Sequence, residues 1–190
     1  RTRADAMSTL CAAFDAAMVA RQRVLAGFDF PFGYPAGFAR ALTGHDDPLF
    51  LWEDLAGRIK DADDNANNRF DVARDLNRLF AGVGPFWGCP AAVADADLPA
   101  KGSARHGHGM PERRKIETLI ASAQPCWKLY TTGSVGSQAL LGIARLQGLR
   151  ERYGAALSVA PFQSPDTPIV LAEVYPSLLA AEISARRGVD

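Results

Sequence analysis

The chain has no excess of charge and no long apolar run. Its 190 residues carry 21 Lys and Arg against 21 Asp and Glu, so the formal net charge is zero. Balanced charge argues against a protein held on nucleic acid or a membrane mainly by bulk positive charge, although it leaves room for a local basic groove. No run approaches the ~18 apolar residues of a membrane helix, and no signal peptide is visible. The sequence therefore predicts a cytoplasmic protein without a membrane partner, and it leaves the oligomeric state open.

Cysteine is scarce as well. Cys11, Cys89 and Cys126 are odd in number and widely spaced, and none belongs to a CxxC pair. This usage is typical of reduced, mostly buried thiols in a cytosolic protein rather than of a disulfide framework or a zinc site.

Several ligand-binding motifs are absent or incomplete. No GxxxxGK[ST] phosphate-binding loop occurs. The Asp- and Asn-rich run at 61–68 fails as a calcium loop, because Ala66 replaces the required glycine and Val72 replaces the bidentate glutamate. His106 and His108 have no third ligand at metal-binding spacing.

Two apolar segments, 24–31 and 169–176, share a pattern. Each ends in a carboxylate followed by a proline, with Asp29 in the first segment and Glu173 in the second. Both segments predict buried strands, because apolar residues follow one another without polar alternation. A carboxylate late in such a strand is unfavourable unless a metal ion, a hydrogen-bond network or a substrate compensates it. Asp29 and Glu173 are therefore candidate site residues, and the alternative for Asp29 is a brace of the following turn.

The order of elements favours an α/β fold. An amphipathic, alanine-rich helix over residues 3–21 leads directly into the first strand, which predicts an αβ unit and a parallel sheet. In such sheets ligands bind beyond the carboxyl ends of the strands, where Asp29 falls. The chain predicts a single α/β domain with its core in residues 1–33 and 159–190 and a large, mostly helical insertion at about 34–158. The remaining predicted elements are helices 49–60, 69–80, 112–123, 137–152 and 178–186, an extended segment 126–130 and an edge strand 158–162.

A loop rich in Gly, Ser and Thr precedes the longest of these helices. Free N–H groups and the helix dipole at such an entry favour an anion, so the loop predicts a substrate-binding site for phosphate, with Lys128 adding charge. The alternatives are a flexible turn with Ser137 as helix N-cap, and a Lys128 that only extends to solvent. The predicted substrate-binding residues are Thr132, Gly133, Ser134, Gly136 and Ser137.

The two acidic segments resemble a known family. Residues 27–35, GFDFPFGYP, resemble the D-x-P-x-G-x-P segment of the domain of unknown function 429 family, which is predicted to contain ribonuclease H-like nucleases. Residues 172–177, AEVYPS, are similar to its E-V-x-P-E segment, with Ser177 in place of the final glutamate. Residues 127–138 resemble a subgroup labelled as cofactor-biosynthesis proteins. The two acidic segments cover about a tenth of the chain.

The resemblance implies a ribonuclease H-like fold, in which a mixed or parallel sheet is flanked by helices. Asp29 is then on the fourth strand of that fold and Glu173 on the fifth. The family's first three strands, with a first-strand aspartate, are then expected before Arg1, and a late acidic segment beyond Asp190. The sequence is accordingly expected to be a fragment that carries part of the site.

Three functions follow as hypotheses. The first is a divalent-metal-dependent phosphodiesterase or nuclease, in which Asp29 and Glu173 bind Mg²⁺ or Mn²⁺ and Lys128 assists catalysis on a phosphate-containing substrate. The second is an enzyme that handles a nucleotide or a cofactor on a related fold, such as one in molybdopterin or cobalamin pathways. The third is a non-catalytic binding protein that keeps the acids for structure. Whether the chain is an enzyme is left open.

Overall fold

The computed structural model describes residues 2–120 and 122–187, which form a mixed α/β structure. The helices are α1 (Arg3–Val19), α2 (Phe38–Thr43), α3 (Pro48–Arg58), α4 (Arg69–Asn77), α5 (Lys115–Leu119), α6 (Val135–Tyr153) and α7 (Ala180–Arg187). The strands are β1 (Val24–Phe28), β2 (Leu157–Ala160) and β3 (Ile169–Glu173).

Helix α1 begins at a capping box. The Thr2 hydroxyl accepts a hydrogen bond from the Asp5 N–H at 3.2 Å, and the Asp5 carboxylate accepts one from the Thr2 N–H at 2.9 Å. Both bonds satisfy N–H groups that the first helical turn leaves open. Phe14 is buried on the inner face of the helix, with its ring edge-on to Tyr153 of α6. The predicted helix is confirmed and ends two residues early, at Val19.

The three strands form one parallel sheet in the order β1-β3-β2. Val24 and Leu157 both lie opposite Ile169, so the strands start in register. Since β3 is central, Ile169, Val170 and Leu171 are all buried. The predicted parallel α/β arrangement is confirmed at this level.

Strand β1 differs from its prediction as a fully buried strand. Its residues alternate between half-buried and exposed, and Leu25 is 72% exposed. Among the described residues β1 pairs only with β3, so it forms an edge of the sheet. An apolar run alone cannot distinguish an edge strand from a central one, which explains the error.

The middle of the chain, 34–158, contributes to the same core as the sheet. Trp52, Leu76, Phe86 and Trp127 are fully buried and belong to one cluster with Leu171 of β3. Elements there differ from the predictions at their boundaries. Helix α5 spans five residues instead of twelve, and the predicted extended segment 126–130 is reduced to a single bridge between Trp87 and Lys128.

The predicted final helix starts as a 3-10 turn, Pro176–Leu179, before α7. Cys89 and Cys126 are buried thiols, whereas Cys11 is half-buried. Within residues 2–120 and 122–187, no helix combines the length and the apolar character that crossing a membrane requires.

Candidate functional site

Asp29 and Glu173 lie at the ends of neighbouring parallel strands. Phe28 is the register partner of Glu173, so Asp29 follows the last pair of the β1–β3 ladder. Both acids line one cavity of about 710 Å³, which we call the strand-end cleft. The sequence pattern therefore located two side chains that share a cavity, although 144 positions separate them.

Asp29 is solvent-exposed and lies one residue beyond β1, in a bend. It was predicted to sit late in a buried strand, where its charge would need compensation. Since β1 is an edge strand and ends at Phe28, that need does not arise. Among the described residues, no hydrogen bond or ion pair engages the Asp29 carboxylate, so it is free to receive a ligand.

Glu173 is compensated by the protein itself. Its Oε1 and Oε2 accept hydrogen bonds from the two terminal nitrogens of Arg114, at 2.6 and 2.8 Å. Oε2 also accepts a hydrogen bond from the backbone N–H of Phe32 at 2.9 Å. This forked pairing is the strongest geometry available to an arginine and a carboxylate.

Arg114 binds a second carboxylate with the same guanidinium. Its Nε donates to Glu117 Oε1 at 2.7 Å, and its backbone N–H donates to Glu117 Oε2 at 2.9 Å. Burial acts to lower the pKa of Arg114, but the hydrogen bonds and charges of Glu173 and Glu117 outweigh burial and raise that pKa. The guanidinium therefore stays charged between two carboxylates.

Sequence reasoning missed Arg114. Residues 113–115 form a basic triplet within the predicted helix 112–123, and consecutive basic residues usually lie on a solvated face, yet the Arg114 side chain is only 14% exposed. Arg114 precedes Glu173 by 59 positions, and no spacing rule joins them. The only available signal was the need to compensate Glu173, which does not select one arginine among many.

The cleft is acidic overall. Asp29, Glu117 and Glu173 contribute three negative charges against one positive charge from Arg114, which gives a formal charge of −2. The rest of the wall is mostly apolar and includes Phe30, Pro31, Ile116, Ile120, Val135, Pro161, Phe162, Val174 and Leu178.

Tyr34 also lines the cleft, and its hydroxyl is buried without a hydrogen-bond partner among the described residues. Burial raises the pKa of this hydroxyl well above its ordinary value. A buried hydroxyl without a partner is unfavourable, so native proteins rarely keep one unless a ligand or water uses it. Phe32, two residues before Tyr34, is fully buried, and its carbonyl accepts a hydrogen bond from the Trp52 indole N–H at 2.7 Å.

The predicted phosphate loop adds Val135 to the wall of the strand-end cleft that the two acids line. Lys128 donates from its ammonium to the carbonyl of Thr132 at 2.6 Å, beside the ring of Trp87. Neither Lys128 nor the five predicted loop residues line the strand-end cleft; Val135 and Gln138 do. In this structure, the Lys128 ammonium therefore binds a carbonyl of the loop that follows it.

Helix α6 begins two residues earlier than predicted. Ser134 is its N-cap and makes no side-chain cap, while Ser137 lies inside the first turn. The Ser137 hydroxyl donates to the Leu129 carbonyl at 2.5 Å and accepts from Arg69 Nε at 2.9 Å. Gly136 packs so closely on the chain that a Cβ there would lie 2.5 Å from the Cys126 carbonyl oxygen. The loop is thus fixed by packing as well as by hydrogen bonds.

The carboxylates as arranged do not fit a resident divalent cation. In residues 2–120 and 122–187, no group of three or more His, Cys, Asp or Glu side chains is placed to hold a metal ion. Both oxygens of Glu173 are occupied by Arg114, and a nearby guanidinium repels a second cation. Mg²⁺ or Mn²⁺ binding stays a prediction, and it requires Arg114 to leave Glu173.

In comparisons with known proteins, the chain matches no family model, no curated protein and no solved structure.

Proposed function

We propose that the strand-end cleft binds and processes a small organic molecule of nucleotide or cofactor size. The observation that carries this proposal is a cavity of about 710 Å³ lined by the exposed Asp29 carboxylate and by Tyr34, a residue whose buried hydroxyl has no partner among the described residues. Pockets for such ligands enclose roughly 300–1,000 Å³, with apolar walls and a few convergent polar groups. The free carboxylate of Asp29 beside apolar walls matches that description.

The charge of the cleft supports a small ligand over a nucleic-acid duplex. A duplex is bound chiefly through its phosphates by Lys and Arg side chains. Here Arg114, the one cation among the described residues of the wall, is held by two carboxylates, and the formal charge is −2. Asp29 instead favours a ligand that presents N–H or O–H donors, such as the amino and ring N–H groups of a heterocycle.

The test is a thermal-shift screen with nucleotides, pterins and coenzymes against single-stranded and duplex oligonucleotides. We expect members of the small-molecule class to raise the Tm of the wild type. Asp29→Asn keeps the shape of the side chain and removes its charge, so it should lose most of that shift. Asp63→Asn, which changes another exposed aspartate outside the cleft, is the matched control and should keep it.

Two results contradict the proposal. One is stabilisation by oligonucleotides alone, which points to nucleic acid as the ligand class. The other is an equal Tm shift in the wild type and Asp29→Asn, which places the ligand away from the cleft.

A second candidate function is metal-dependent hydrolysis of phosphodiesters on a ribonuclease H-like fold. The observation in its favour is that the two acid-bearing strands pair in parallel and place Asp29 and Glu173 on one cavity. Since Arg114 occupies Glu173, this candidate predicts weak Mn²⁺ binding that competes with the ion pair. Asp29→Asn should abolish Mn²⁺ binding and any cleavage, and unchanged Mn²⁺ affinity in that variant would exclude the candidate.

A further inference from the structure

A second cavity of about 420 Å³ lies between α1 and α6, and three arginines line it. Arg3 comes from α1, Arg69 from α4 and Arg145 from α6. We call this cavity the arginine groove. Its remaining wall is almost entirely apolar and includes Met7, Leu10, Phe30 and Leu146, with Ser137 and Gln138 as the polar exceptions.

Two of the arginines share one carboxylate. Asp61 Oδ2 accepts from Arg3 Nε and from Arg145 Nε, each at 2.8 Å, and Asp61 Oδ1 accepts from Arg3 Nη2 at 2.5 Å. The Asp61 side chain is only 4% exposed. The pKa of Asp61 is lowered by its hydrogen bond to Arg3 and, against the effect of burial, by Arg145, so it stays ionised. The single negative charge of Asp61 is therefore paired with two positive charges, those of Arg3 and Arg145.

Arg69 has no carboxylate at all among its described partners. Its Nε donates to the Ser137 hydroxyl and its Nη1 donates to Asn67 Oδ1 at 2.8 Å. The guanidinium lies over the ring of Phe70, 4.2 Å from its centre. Burial and the neighbouring charge of Arg3 lower the pKa of Arg69, but an arginine remains protonated in a protein.

Each guanidinium keeps one terminal nitrogen without a hydrogen-bond partner in the described part of the chain. These nitrogens are Nη1 of Arg3, Nη2 of Arg69 and Nη1 of Arg145. Three arginines and Asp61 give the groove a formal charge of +2, and no acidic side chain of residues 2–120 or 122–187 lines its wall. An oxyanion with several acceptor oxygens matches such a set of donors.

We propose that the arginine groove binds the phosphate group of a phosphate monoester, whose apolar body packs between α1 and α6. Guanidinium forks suit phosphate oxygens, and the first turn of the 19-residue helix α6, which contains Ser137, adds the positive end of a helix dipole. This site goes beyond the strand-end cleft and does not depend on it, although the two cavities meet at Phe30 and Gln138.

The experiment is isothermal titration of the full chain with phenyl phosphate, inorganic phosphate and benzoate at one fixed ionic strength. Phenyl phosphate presents both the phosphate and an apolar body, whereas inorganic phosphate lacks the body and benzoate lacks the phosphate. We expect phenyl phosphate to bind at least about tenfold more tightly than either, because charge-assisted hydrogen bonds and apolar burial both contribute.

Arg69→Gln should weaken phenyl phosphate binding by about tenfold or more, since a charged donor is lost. Arg69→Lys keeps the charge without the fork, so it should lie between that variant and the wild type and shows that the fold tolerates substitution there. The matched control is Arg78→Gln, an exposed arginine outside both cavities, which should bind like the wild type.

Three results overturn the proposal: no phenyl phosphate binding by the wild type at millimolar concentration, equal binding of benzoate, or unchanged affinity in Arg69→Gln. If inorganic phosphate binds as tightly as phenyl phosphate, the proposed packing of an apolar body between α1 and α6 is wrong, and the groove is a site for the free anion. Asp29→Asn should bind phenyl phosphate normally, so a failure of this site is distinguishable from a failure of the strand-end cleft.

Discussion

The strand-end cleft and the arginine groove are neighbours with opposite charge and share Phe30 and Gln138 in their walls. In the cleft, Arg114 forms ion pairs with two carboxylates, whereas a third carboxylate, Asp29, has no partner among the described residues. In the groove, the Asp61 carboxylate forms ion pairs with two arginines, whereas a third arginine, Arg69, has no acidic partner among the described residues. Each cavity thus combines a network of paired charges, which keeps one net charge of the majority sign, with one further group of that sign that has no charged partner among the described residues.

This comparison distinguishes the charged groups that stabilise the fold from the charged groups that remain free to bind a ligand. A buried charge must be matched within the protein, and removal of its partner is strongly destabilising. Arg114 and Asp61 are such matched groups, so their substitution should affect stability. Asp29 and Arg69 are the groups whose substitution should affect binding instead.

The largest effect is expected from Arg114→Gln. The variant leaves Glu117, whose side chain is 3% exposed, and Glu173 without their cation. The free energy of unfolding should fall by about 3 kcal/mol or more, as for other buried ion pairs that lose one partner. Urea denaturation at pH 7 measures this loss. Arg78→Gln removes exposed ion pairs and should cost less than about 1 kcal/mol; a similar loss in both variants would contradict the distinction.

Asp61→Asn is the corresponding change in the groove. It leaves Arg3 and Arg145 without a charged partner but keeps one acceptor oxygen, so the free energy of unfolding at pH 7 should fall by about 2 to 3 kcal/mol. Because the pKa of Asp61 is lowered in the folded protein, its contribution is present above the unfolded value of about 4 and is lost as pH falls through the folded value.

The difference in unfolding free energy between the wild type and Asp61→Asn should therefore be constant from pH 7 to about 5 and shrink below about 4. Denaturation series at fixed ionic strength check this window. A difference that grows on acidification would show that Asp61 is not ionised in the folded protein.

The sequence predicted the positions of the acids better than the groups that surround them. Asp29 and Glu173 were found because strand, late acid and proline are local signals that recur in the chain. Arg114 and Arg69 were not found as ligand-cavity residues, because Glu173 and Ser137, the partners that hold them at the cavities, are distant in sequence and become neighbours only after packing. Asn68 illustrates the same limit at short range. It directly precedes α4, and asparagine is a common helix N-cap, yet its side chain hydrogen-bonds the backbone of Lys60 and Arg58 instead of capping the helix.

The sheet gives a similar lesson. Parallel strands were predictable because α1 leads into β1 and the long helix α6 precedes β2. The order β1-β3-β2 and the exposure of Leu25 were not, since both depend on which strands meet. Whether the arrangement is ribonuclease H-like stays a prediction.

Gly142→Ala tests the wall that both cavities share. A Cβ at Gly142 would overlap the ring of Phe30, which must then move. Overpacking of this kind costs about 1–3 kcal/mol, and it should alter ligand binding in both cavities. Gly148→Ala is the matched control in the same helix, because a Cβ there meets no atom within 4 Å. It should stabilise the protein by up to about 1 kcal/mol through helix propensity. Equal stability of the two variants would show that Phe30 is not fixed against α6.

The smallest effect, and the one that bears most directly on the cleft, is expected from Tyr34→Phe. The change removes only the hydroxyl that is buried without a partner. Because an unpaired buried polar group is itself destabilising, the variant should be as stable as the wild type or more stable by up to about 1 kcal/mol in urea denaturation. The same variant should bind a cleft ligand less tightly, since the ligand loses a hydrogen-bond partner. A clear loss of stability in the absence of ligand would mean that the hydroxyl already has a partner in the folded protein, and Tyr34 would then no longer support a ligand site.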